Sequence, residues 1–212
     1  MAVRAVQEQG IPIPRIVMIT EGDEETGGHI EHYIQSLKTR IGNPEVIFCL
    51  DSGTLDYERF WNTNSLRGYM SGVLSVKILK EGVHSGDASG IVPSAYRILN
   101  KILARLENVE TGEINKAFHV NIPGNRYSEA YELVQSLSDE AVKPFPFFKG
   151  TKPISENNLE LVLNRTWRPQ LTVTGVSGLP PVEKAGNVLL PEIAVKISLR
   201  VPPTLNTKNK EK

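Results

Sequence analysis

The chain has 212 residues, 24 of them Lys or Arg and 24 Asp or Glu, so its formal net charge is zero and no global field draws it to nucleic acid. Hydrophobic residues make up 40% and charged residues 23%, the mixture of a chain that buries a core. No apolar run is long enough to span a membrane, the opening residues lack the apolar centre of a signal peptide, and a single cysteine, Cys49, excludes an internal disulfide. These features fit a cytoplasmic, reducing setting with no membrane partner.

In chain order, AVRAVQEQG reads as the last turns of a helix that Gly10 stops. RIVMIT (15–20) is a short apolar run, a buried strand by length and content, and it ends in the acidic turn Glu21-Gly22-Asp23-Glu24-Glu25. HIEHYIQSLKTR (29–40) puts Ile30, Tyr33, Ile34 and Leu37 on one helical face. VIFCL (46–50) is a second apolar run followed by Asp51, and it places Cys49 inside as a small hydrophobe. Strand, helix and strand in this order predict a parallel βαβ unit with both acidic clusters at strand C-termini, the edge where open sheets place ligands.

After residue 64 the pattern changes. MSGVLSVKILKEG (70–82) alternates as a half-buried strand does. VPSAYRILNKILARLENV predicts a helix with Pro93 at its start and Ile98, Ile102 and Leu106 on one face. NRYSEAYELVQSLSD (125–139) predicts another, KPFPFFKGTKP a loop, and ENNLELVLNRTW a third helix. LTVTGV (171–176) and EIAVKISLRV (192–201) complete a sheet with helices on one face. The expected boundary lies near Ser65-Leu66-Arg67, giving domains at 1–65 and 66–200 and a return segment and tail at 201–212.

Glu24 and Glu25 are adjacent carboxylates in a glycine-bounded turn, and they repel unless a cation offsets them. Asp51 ends the neighbouring predicted strand, so two acidic clusters converge on one sheet edge, an arrangement suited to a hydrolytic pair of metal ions about 3.5–4 Å apart. A solvated acidic turn is the alternative, and spacing leaves both open. His84, in GVHSGDASG, reads as part of a polar loop leading into the Pro93 helix; a local Ser-His-Asp triad is disfavoured because triad members come from separate segments. His29 and His32 share a helical face near the glutamates, and His119 has no acidic neighbour, a structural pattern.

The segments EGDEETGG, CLDSG, SLRGYMSGVLSVKILKEGVHSGDASGIVPSA and NVLLPEIAVKISLRVPP together resemble the zinc exopeptidases that include carnosinase, cytosolic non-specific dipeptidase, aminoacylase and glutamate carboxypeptidase, with the histidine segment closest to the dipeptidase branch. The resemblance implies two zinc ions in the complete enzyme, with manganese or cobalt as alternatives. It implies a small peptide or N-acyl amino-acid substrate, and a homodimer formed through a ferredoxin-like βαββαβ lid. By position, Glu24 matches the general base, Glu25 and Asp51 match metal ligands, and His84 matches a lid histidine that steadies the oxyanion in the partner's site. Asn187 matches a residue that also crosses to the partner. Arg200, 13 residues further on, matches the arginine that holds the substrate carboxylate.

The same resemblance implies an upstream His-x-Asp and a late histidine as further ligands. No histidine stands before residue 29 or after residue 119. The expectation is therefore a shortened polypeptide, weak in zinc or without it and inactive alone, since zinc normally holds three or four protein ligands. The competing reading is a non-catalytic dimerisation module of the same fold. A nucleotide-binding protein is disfavoured by the lack of a phosphate loop.

Overall fold

The computed structural model describes residues 2–22, 24, 28–51, 53–137 and 145–207, and the chain divides into two units, Met1–Ser52 and Gly53–Lys212. The first unit opens with helix α1 (Ala2–Glu8), braced by an Arg4–Glu8 pair at 2.9 Å and ended at Gly10, whose φ of 69° favours glycine. The predicted helix at 29–40 is two pieces, α2 (Ile30–Ser36) and α3 (Lys38–Ile41). The Ser36 hydroxyl donates to His32 O at 2.8 Å, a back-bond of the kind that bends helices, and the break follows at Leu37. Arg15 donates to the carbonyls of Arg40 and Ile41 at the end of α3.

The two expected strands of this unit are absent among the described residues: 15–20 and 46–50 form no ladder. The apolar side chains are exposed, with Met18 at 84% and Leu50 at 93%, and Cys49 is exposed rather than buried. The physical reason is a shortage of partners. A parallel strand needs hydrogen-bonded neighbours and cover on both faces, and two strands with short helices bury too little to stand alone. The expected βαβ unit is therefore not formed within the described residues.

The second unit is built on strand β5 (Glu192–Val201), hydrogen-bonded on both edges. Strand β1 (Gly68–Lys77) runs antiparallel to it from Gly68 opposite Val201 to Lys77 opposite Glu192. Strand β3 (Gln170–Ser177) covers the other edge, with a bulge between Val173 and Gly175. The period-two alternation of β1 and β5 sends Val76, Ile193, Val195, Leu199 and Val201 inward. Helix α5 (Ala95–Leu103) lays Ala95 and Leu99 on Val76, Ile193 and Val195. It starts where predicted, with Ser94 Oγ accepting the Arg97 N–H.

Helices α6 (Gly124–Leu137) and α7 (Asn158–Thr166) pack on each other through Ala130, Val162 and Leu163. Asn157 caps α7, accepting from Leu159 and Glu160. Arg168 pairs with Glu160 and holds its carboxyl below the usual carboxylate range. Arg67 donates to Asn164 O at 2.9 Å and Arg168 O at 3.2 Å, joining the start of β1 to the end of α7. Burial, then the nearby charges of Arg200 and Arg165, lower its pKa. The sheet has three strands, order β1-β5-β3. The order β1, then α5 to α7, then β3 and β5 supplies the βαββ part of the expected βαββαβ layout, and among the described residues no helix and strand follow β5. No described helix is long and apolar enough to cross a membrane.

Gly178 turns the chain after β3 at φ 89°, and a Cβ there would lie 2.5 Å from Glu192 O and 3.0 Å from the Ile193 Cα. Both are backbone atoms of the central strand, so neither can give way cheaply. Gly178→Ala is expected to destabilise the unit by about 1–3 kcal/mol, read as a lower urea midpoint with unchanged slope.

Candidate functional site

The candidate residues fall in three places. The first is a small ribbon, β2 (Val83–His84) paired antiparallel with β4 (Val188–Leu189). His84 ends β2 and precedes a short helix, α4 (Ser85–Ala88). The Ser85 N–H donates to Asn187 O at 2.9 Å, so the ribbon brings His84 and Asn187 side by side although they come from opposite ends of the second unit's sequence. The His84 Nδ1 lies 3.3 Å from the Asp87 carboxylate, and the imidazole is 62% exposed. Gly86 gives the ring its room: a Cβ there would come within 2.7 Å of His84 Cε1. Ser85 of α4 and Val188 of the ribbon also line a concavity of about 310 Å³ with Ser89, Tyr96 and Glu192.

The second place is the outer face of β5. Arg200 stands opposite Tyr69 of β1 and Gln170 of β3. Its guanidinium carbon lies 5.0 Å from the centre of the Tyr69 ring, a cation–π contact. The ribbon and Arg200 lie towards opposite ends of the sheet. Leu189 is followed by Leu190 and Pro191 before β5 starts at Glu192, and from there to Arg200 the strand rises about 26 Å.

The third place is the first unit. Glu24 and Asp51 are exposed, and Glu25 lies outside the described residues. Glu21 Oε1 accepts the His29 N–H at 2.9 Å. The His32 ring meets Tyr33 edge-on at 6.0 Å. In the second unit, His119 is held by Nε2 at 3.0 Å from Ile114 O, a structural contact.

Residues 64–212 match the model of the peptidase dimerisation domain of the M20 type. The chain belongs to the M20 peptidase dimerisation-domain family. A cysteinylglycine-S-conjugate dipeptidase of Corynebacterium striatum is 30% identical over 95% of this chain and 43% of its own length. A human beta-Ala-His dipeptidase is 23% identical over 97% of this chain and 40% of its own. The chain thus spans less than half of these curated relatives. An M20 family metallo-carboxypeptidase, Sso-CP2 from Sulfolobus solfataricus, shares the fold with a TM-score of 0.60 at 16% identity, over 86% of this chain and 47% of that one.

M20 peptidases are typically metal-dependent, and a zinc site normally has three or four protein ligands. Among the described residues no three His, Cys, Asp or Glu side chains form a group able to hold a metal ion. The described residues by themselves therefore do not fit a complete metal centre.

Sequence reasoning misses three residues with a local role. Asp87 is legible three positions after His84. Glu21 has a signal in its place at the mouth of the turn. Tyr69 has none, since its meeting with Arg200 depends on the β1–β5 register. Gly86→Ala is expected to push the His84 ring off its backbone seat, seen as loss of the contacts between the imidazole and residue 86 in NMR spectra while the β1–β5 cross-strand contacts persist.

Proposed function

We propose that this chain is a segment of a metal-dependent, dipeptidase-like exopeptidase that hydrolyses a peptide or amide bond. Its lid holds the substrate carboxylate at Arg200 and steadies the oxyanion through His84 and Asn187. A planar guanidinium suits a carboxylate, which it can grip with two parallel hydrogen bonds. An imidazole and an amide aimed at a carbonyl oxygen stabilise the charge that grows there. The chain's exopeptidase relatives support this reading, and so does the ribbon, where His84 pairs with Val188 and the Asn187 carbonyl accepts the Ser85 N–H, which brings His84 and Asn187 close.

The observation that carries the proposal is the separation of these groups. The ribbon adjoins the Glu192 end of β5, and Arg200 lies about 26 Å of strand away. A fully extended dipeptide spans only about 7 Å. One lid therefore cannot place all three side chains on one small substrate. Two copies can, with the ribbon of one reaching the molecule that Arg200 of another holds. This supports a homodimer with shared sites.

Glu24 as base and Glu25 and Asp51 as ligands to zinc, or to manganese or cobalt, belong to the same proposal. Two ligands hold zinc poorly, so the polypeptide is proposed to be inactive alone. A second reading, a non-catalytic dimerisation module, is favoured by one observation: the family match covers the dimerisation domain from residue 64 and leaves out the acidic turns.

Zinc titrated calorimetrically into the wild type and Glu25→Ala separates the two readings. The metallopeptidase reading expects weak binding that Glu25→Ala reduces further, with no dipeptide turnover by the zinc-loaded chain. Equal heats for both proteins would favour the bare module, and robust hydrolysis would overturn the proposed inactivity.

A further inference from the structure

Resting on the reading of Arg200 as a carboxylate anchor, we infer that Tyr69 is a positioning residue: its ring holds the Arg200 guanidinium flat on the sheet so that the N–H edge faces the ligand.

The register supplies the arrangement. Tyr69 and Arg200 are direct cross-strand partners, as are Ser71 and Ser198 one step along on the same face. The guanidinium carbon stands 5.0 Å from the ring centre, the distance of a cation seated on an aromatic face. Hydrogen bonding from Ser71, then from Ser198, and then the charges of Lys196 and Arg200 hold the Tyr69 phenol below its ordinary pKa, against an opposing effect of desolvation.

A planar guanidinium has two kinds of surface. Its faces take an aromatic ring, and its edges carry the N–H fork that binds a carboxylate. Stacking on Tyr69 leaves those edges free. Among the described residues Arg200 takes part in no ion pair, so no internal carboxylate competes for the fork. A long exposed arginine would otherwise lose much rotamer freedom on binding, and a ring that holds it beforehand removes part of that loss. An exposed cation–π contact implies a roughly two- to fivefold gain in affinity.

The test uses the full chain and the Arg200 Nε–Hε NMR signal, assigned by its loss in Arg200→Lys. N-acetylglycine is the probe and N-acetylglycinamide, which lacks the carboxylate, is the control. The wild type is expected to show an Nε–Hε signal shifted upfield by the ring current, and to respond to N-acetylglycine but not to the amide. Tyr69→Leu is expected to lose the upfield shift and to weaken the carboxylate response two- to fivefold, with backbone amide spectra otherwise intact. Tyr69→Phe, which keeps the ring, is expected to restore most of both. If Tyr69→Leu leaves shift and affinity unchanged, Tyr69 does not position Arg200, whatever Arg200 binds. If the wild type shows the upfield shift but treats acid and amide alike, the stack stands and the carboxylate reading of Arg200 falls, taking the functional role of Tyr69 with it.

Discussion

The second unit depends on the double ladder of β5. Paired with β1 along its whole length and with β3 on its other edge, this strand has no freedom to slip, because a one-residue shift would turn Ile193, Val195, Leu199 and Val201 out to water. The same register decides what the opposite face displays. Arg200 is outward because Leu199 and Val201 are inward, and it meets Tyr69 because Gly68 pairs with Val201. Core packing and the proposed ligand face are thus two sides of one constraint.

That constraint also sets distances. The ribbon with His84 and Asn187 adjoins one end of β5, and Arg200 sits near the other. On the proposed reading, a rigid strand keeps the two halves of the lid's contribution too far apart for one small substrate. A shared site then follows from strand length, and the dimerisation domain becomes part of the chemistry rather than a passive clasp.

Much of this second unit was legible in the sequence. The alternation in 70–82 and the run EIAVKISLRV (192–201) marked strands, Pro93 marked the start of α5, and ENNLELVLNRTW marked α7. These are local signals with a local cause. The strands expected at 15–20 and 46–50 failed for the complementary reason. VIFCL has the composition of a buried strand, but composition records only what a segment can bury, and without ladder partners Phe48, Cys49 and Leu50 stand exposed. The last helix and strand of the βαββαβ layout came from the resemblance alone, and the described residues carry only its βαββ part. Within the site, His84 and Asn187 came from family resemblance, and the Ser85–Asn187 hydrogen bond gives their proximity a physical basis. Tyr69 was hidden because cross-strand partners far apart in sequence carry no common motif. Glu25 lies outside the described residues, so the acidic turn contributes only Glu24 and the Glu21–His29 hydrogen bond to the structural picture.

The central claim is that the two ends of β5 act together only when two copies combine. Sedimentation velocity on the purified chain across the micromolar range tests it most directly. A shared site requires a concentration-dependent species of twice the 23.5 kDa chain mass. A single monomeric boundary throughout that range would contradict it.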